Sequence, residues 1–149
     1  MDLDALVLAA LAARDRAYAP YSGFRVGAAL LCASGRIHAA ANVESASYGL
    51  TVCAERNAIA RAVFEGDSQI VAVAVTADCD RVVTPCGACR QVLSEFAGPD
   101  LVVVMTNTHG KREVTTLGAL LPHAFTRTTH LDPNAKTTPN LSKDQRNDS

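Results

Sequence analysis

Tryptophan is absent from the 149 residues, and the other aromatics amount to three tyrosines and four phenylalanines. Proteins that track single-stranded nucleic acid stack its bases on aromatic rings, and this chain has few rings to offer. A basic surplus is missing too: 14 Lys and Arg stand against 15 Asp and Glu, for a net charge of -1. Binders of the phosphate backbone need that surplus, so a nucleic acid polymer is not the expected partner. Long apolar runs are also lacking. The one near the start, Ala5 to Ala13, is far shorter than the roughly 20 residues that span a bilayer, and it follows an acidic Met1-Asp2-Leu3-Asp4 instead of a basic leader. Neither a membrane span nor a secretory signal is expected.

What is present describes a folded protein. Hydrophobic residues make up 48% and charged residues 19%, enough apolar surface for a core and too little charge for a disordered chain. The length suits one domain. Five cysteines, an odd number without a secretory signal, fit reduced thiols or metal ligands better than a disulfide framework. The expected compartment is the cytoplasm.

Periodicity supplies the elements. Helix formers from Asp2 to about Tyr18 end at Pro20-Tyr21-Ser22-Gly23. Phe24–Ala33 and Arg36–Val43 are apolar, β-rich runs joined by Ser34-Gly35, the form of a tight hairpin. Val52–Phe64 has helical spacing and stops at Glu65-Gly66. Gln69–Thr76 lacks a polar face, as a central strand covered on both sides would. A helix is expected over Gly87–Phe96, strands over Leu101–Thr106 and Lys111–Thr116, and a short helix over Leu117–Leu121. The order α-β-β-α-β-α-β-β-α predicts a single α/β domain over residues 1–131, a three-layer α-β-α sandwich around a five-stranded mixed sheet. Residues 132–149 have one large apolar side chain, Leu141, and no periodicity, so a disordered polar tail is expected there.

Chemistry concentrates at the starts of the two middle helices. Cys53 precedes one, and Cys86 and Cys89 form a CxxC turn at the other. Helix starts present free N–H groups and a positive dipole end, which favour thiolate, the form that binds zinc. Three thiolates leave a tetrahedral zinc one open position, the mark of a catalytic site. A CxxC turn alone also serves structural zinc half-sites and redox pairs. Glu55 weighs against both, because a carboxylate two residues after a ligand can reach a water on the metal without binding the metal. Cys32, in an expected strand, reads as a small buried hydrophobe. Cys79, seven residues before Cys86, is the one further thiol able to close the site as a fourth ligand. His38, His109, His123 and His130 have no partner at ligand spacing.

The segments Tyr21-Ser22-x-Phe24-x-Val26-Gly27-Ala28, Asn42-Val43-Glu44-x-Ala46-x-Tyr48, Cys53-Ala54-Glu55-Arg56, Pro85-Cys86-Gly87-Ala88-Cys89-Arg90-Gln91 and Leu120-Leu121-Pro122-x-x-Phe125 together resemble the zinc-dependent cytidine deaminases of nucleoside salvage. The resemblance covers about Ala17 to Phe125. It implies one Zn2+ per subunit on Cys53, Cys86 and Cys89, and Glu55 as the carrier of protons during hydrolytic attack on carbon 4 of the pyrimidine. It implies further that Arg56 donates hydrogen bonds to the sulfurs and draws charge off the metal, since three thiolates overcompensate a dication.

For substrate, the resemblance points to Asn42 and Glu44 on the ribose hydroxyls and Phe24 on the face of the base. It places the backbone N–H of Ala54 and carbonyl of Thr84 on the base and the leaving ammonia. Phe125 would enter a neighbouring subunit's site, in a homotetramer with shared active sites. The expected partner is a small nucleoside, cytidine or deoxycytidine. Deamination of a related aminopyrimidine nucleoside, such as blasticidin S or a modified cytidine, stays open on these residues, as does a non-catalytic zinc-stabilised module.

Overall fold

The computed structural model describes residues 1–131 and residue 134. Asp2 starts the first helix by accepting hydrogen bonds from the N–H groups of Asp4 (3.1 Å) and Ala5 (3.0 Å), an N-cap worth about 1 kcal/mol. The helix, α1, spans Leu3–Arg14. It stops short of Tyr18, where helix formers alone would carry it. The Tyr18 backbone instead pairs with its sheet neighbours, N–H to Asn42 at 3.0 Å and carbonyl to the Glu44 N–H at 2.9 Å, and long-range pairing overrides local propensity.

Ser34-Gly35 turns the chain as expected, with Gly35 at φ 85°, between strands β1 (Val26–Cys32) and β2 (Ile37–Ala41). Helix α2 (Ala54–Phe64) leads to β3 (Ile70–Ala77), α3 (Gly87–Phe96) and β4 (Val102–Asn107). Strand β5 (Arg112–Thr116) and the short α4 (Leu117–Leu120) follow. A 3-10 turn at Tyr48–Leu50 and a π-helical turn at Arg127–Leu131 have no counterpart in the periodicity. The tail expected over 132–149 lies outside the described residues, residue 134 apart.

The five strands form one mixed sheet in the order β2-β1-β3-β4-β5. Strands β3 and β4 run parallel, joined by the crossover helix α3, while β1 is antiparallel to both β2 and β3, and β5 to β4. Alternation sends Leu30, Val73, Val75, Val103 and Met105 to one face, where Ala58, Ile59, Ala62, Leu93 and Leu117 of α2, α3 and α4 cover them. Ala29, Ala72, Ala74 and Val104 face the other way, against Leu6 and Ala10 of α1. Burying each large aliphatic side chain contributes about 2 kcal/mol. The α1 layer is thin because its contact is made of small residues. At Gly27 an added Cβ would lie 2.0 Å from the Ala10 carbonyl oxygen and 2.5 Å from the Arg14 nitrogen, so only glycine admits the helix so close. The result is the expected α-β-α sandwich, and it brings the starts of α2 and α3 side by side.

Candidate metal centre and active site

Cys53 and Cys86 occupy the N-cap positions of α2 and α3, and Cys89 lies in the first turn of α3. Neither cap cysteine spends its side chain on its helix, so both sulfurs are free to face each other. The Sγ atoms of Cys53 and Cys86 are 3.8 Å apart, and all three sulfurs lie within 4.8 Å of one another. Cys89 is fully buried and Cys86 exposed, so the cluster stands at the protein surface with its base in the core.

The three thiols differ in how they hold their protons. Hydrogen bonds from Cys89, then from Arg56 and Cys86, lower the Cys53 thiol to about 5. The hydrogen bond to Cys53, followed by burial, pushes Cys89 upward. Arg56 places Nη2 3.6 Å from the Cys53 sulfur and 3.4 Å from the Thr51 carbonyl, while its buried Nε has no partner among the described residues. This donor set fits zinc: thiol sulfurs of the preferred type, on two dipole-positive helix starts, with a cation beside them to offset the anionic charge. Among the described residues, no fourth Cys, His, Asp or Glu joins the group. Cys79 points elsewhere, its thiol 2.9 Å from the Arg81 carbonyl.

Glu55 is 3% exposed on the first turn of α2. Burial raises its carboxyl above the ordinary range, and the Cys53 charge adds to the rise. A buried carboxyl whose hold on its proton is strengthened in this way suits a group that takes a proton in one step and gives it in another.

The remaining expected residues frame the same end of the sheet. Asn42, 7% exposed, accepts from the Val26 N–H at 2.8 Å and donates to the Phe24 carbonyl at 2.8 Å. Glu44 accepts the N–H groups of Tyr21 (3.0 Å) and Ser22 (3.1 Å) and the Ser22 hydroxyl. Those bonds, the hydroxyl's first, hold its carboxyl below the usual range. Both side chains therefore anchor the 21–26 segment, a task the sequence did not disclose. Phe24 is 44% exposed and Phe125 56%, neither being a core aromatic. Phe125 stacks on His130 with ring centres 4.6 Å apart. Ala54 is buried at the first position of α2, where a helix leaves its N–H without an intrahelical partner, and Thr84 is exposed just before the CxxC turn.

Three contributors escaped the sequence reading. Asn57 ties α2 to β2 by donating to the Ala41 carbonyl at 2.9 Å. Arg90 and Gln91 donate to carbonyls of the 85–125 region; their spacing from Cys86 was the available signal. His38 needs a correction. It does have partners: its Nε2 lies 2.6 Å from Asp67 Oδ2, and Cys32 completes a buried group of possible donors. Sequence spacing misses it because the three come from β1, β2 and the loop after α2. The Arg36 Nε at 2.8 Å and the Ser34 hydroxyl at 3.0 Å already satisfy the same Asp67 oxygen, so the group is a closed ion-pair network with its cation supplied by Arg36. Cys32 is buried as expected, its thiol raised to about 11 by burial first and Asp67 second.

Three cysteine sulfurs able to hold one metal ion, with a buried carboxyl on the same helix turn as one of them, are a donor set suited to a hydrolytic zinc enzyme. Comparison with known proteins narrows the class. The family model for the cytidine and deoxycytidylate deaminase zinc-binding region matches residues 2–106. The chain belongs to that family. It is 51% identical over 126 residues to the cytidine deaminase of Halalkalibacterium halodurans, across 85% of this chain and 96% of that one. A crystal structure of cytidine deaminase from Burkholderia pseudomallei matches with a TM-score of 0.81 and 50% identity, covering 84% of this chain and all of that one. Blasticidin-S deaminase of Bacillus cereus is 40% identical over 110 residues, 68% of this chain and 77% of its own. No helix among the described residues is long and apolar enough to cross a membrane.

Proposed function

We propose that the chain hydrolyses cytidine and deoxycytidine to uridine and deoxyuridine with release of ammonia, in pyrimidine nucleoside salvage. The observation that carries this is the buried Glu55 beside the three-sulfur cluster, supported by family membership. Cys53, Cys86 and Cys89 would hold zinc, which would supply the Lewis acidity that makes water a nucleophile near neutral pH. Glu55 takes the proton of the water that attacks carbon 4 and delivers it to ring nitrogen 3. It then carries the second proton to the amino group, which leaves as ammonia. Arg56 offsets the charge of the sulfurs.

Asn42 keeps one N–H and one lone pair beyond its bonds to Val26 and Phe24 for the ribose hydroxyls, and Glu44 meets them in exchange for its bonds to Ser22. Phe24 covers the base, and the Ala54 N–H and Thr84 carbonyl hold its polar edge and the departing ammonia. Phe125 serves a neighbouring subunit in a homotetramer. The exposure of Tyr48 (73%), Leu50 (69%) and Phe64 (91%) supports assembly, since such surface is costly to leave in water. The proposed compartment is the cytoplasm.

The test is the ultraviolet change on mixing purified protein with cytidine and with deoxycytidine, with ammonia measured alongside. Loss of the cytosine band with matching ammonia is expected. No change, in protein holding one zinc per chain, overturns the reading and turns attention to blasticidin S and other aminopyrimidines. Light scattering at four times the 15.7 kDa chain mass checks the tetramer.

A further inference from the structure

Arg90 grips the turn that carries Cys86 from both its backbone and its side chain. Its N–H donates to the Cys86 carbonyl at 3.0 Å, and its Nε donates to the Pro85 carbonyl at 2.8 Å. The first of these is the ordinary opening bond of α3. The second is not part of any helix ladder, because Pro85 lies before the N-cap. The same guanidinium donates from Nη1 to the Leu120 carbonyl at 2.8 Å, at the end of α4. One residue on, Gln91 Nε2 donates to the Phe125 carbonyl at 2.7 Å. Arg90 makes no ion pair with a carboxylate among the described residues, so its charge is spent on backbone carbonyls.

The position of the Cys86 sulfur follows the plane of the Pro85–Cys86 peptide. Cys86 is exposed at a helix start, where chains fray, and its side chain makes no capping bond to its own helix. The Pro85 carbonyl belongs to that same peptide plane, so a donor fixed at 2.8 Å restricts its rotation.

We propose that Arg90 is a positioning residue for the metal centre: it clamps the Pro85–Cys86 peptide to the C-terminal segment at Leu120, while Gln91 holds that segment at Phe125. The planar guanidinium can address two carbonyls at once, which a lysine ammonium on a flexible stem cannot do in the same geometry. The clamp deepens the proposed function, because it makes the zinc turn and the segment bearing Phe125 one mechanical unit.

The experiment compares wild type, Arg90→Lys, Arg90→Ala and Gln91→Ala as zinc-loaded protein. Release of zinc to a chromogenic chelator is measured beside KM and kcat for cytidine, with circular dichroism as the check on folding. In Arg90→Lys, zinc release is expected to be about tenfold faster or more, the usual scale for losing a group that orients a metal ligand. Gln91→Ala is expected to leave zinc release at the wild-type rate and raise KM several-fold. A general loss of stability would move both readouts together in both variants. Wild-type zinc release in folded Arg90→Lys overturns the clamp, whatever Arg90→Ala does. Zinc release does not involve substrate, so a wild-type enzyme inert toward cytidine would sink the functional reading and leave the clamp to be judged by its own readout.

Discussion

His38 Nε2 and Asp67 Oδ2 lie 2.6 Å apart in the interior, linking the second strand of the hairpin to the chain leaving α2. The hydrogen bond with His38, then those with Arg36 and Ser34, lower the Asp67 carboxyl from 3.8 to about 2. A carboxyl depressed by folding contributes stability above its unfolded pKa and loses it as pH falls through the folded one. Asp67→Asn is expected to cost about 2 kcal/mol at neutral pH. That difference from wild type should shrink as pH falls through the window from 3.8 to about 2. Urea denaturation at several pH values checks this, and a pH-independent difference would contradict it.

Glu55→Ala removes the proposed proton carrier and none of the sulfurs. Bound zinc is expected to stay at the wild-type level while kcat falls by at least about a thousandfold, the range for loss of a general acid–base group. Metal analysis alongside steady-state kinetics separates the two effects. An active Glu55→Ala protein would refute the assigned role.

Replacing single cysteines should sort ligands from bystanders. Cys89→Ser is expected to lose zinc, since it removes the buried sulfur of the cluster. Cys79→Ser should keep one zinc per chain, because the Cys79 thiol is directed at the Arg81 carbonyl. Zinc loss in Cys79→Ser would mean a fourth thiolate and a closed site.

Gly27→Ala tests the thin α1 layer. Its methyl group would meet the Ala10 carbonyl oxygen and the Arg14 nitrogen at distances no atom tolerates, so α1 must shift. A loss of about 3 kcal/mol is expected, at the upper end for overpacking. Thermal or urea unfolding measures it, and a neutral substitution would mean that α1 packs more loosely than described.

Asn42→Asp keeps the shape of the side chain but replaces the group that donates to the Phe24 carbonyl with an acceptor. The 21–26 segment should loosen, raising KM for cytidine about tenfold or more with zinc content unchanged. Equal KM in the variant would remove Asn42 from the substrate site.

The strands and the helices, the central place of Gln69–Thr76, and the candidate thiols at two helix starts with Glu55 after the first were legible in the sequence because each depends on local signals. Those signals are the apolar period, the turn residues, and a thiol placed where a helix must begin. Adjacency across the fold was not legible. Cys53 and Cys86 are brought to 3.8 Å by two helices lying side by side on one sheet face. No spacing rule supplies that distance, because a crossover through β3 separates the two residues. The end of α1 at Arg14, the His38–Asp67 pair and the grip of Arg90 on Pro85 likewise arise from contacts between segments far apart in the chain. The sequence by itself determined which groups are the candidates for chemistry and which elements carry those groups. Only the tertiary structure decided which of them meet, because side-chain and backbone hydrogen bonds reach about 3 Å and depend on packing that local propensity does not encode.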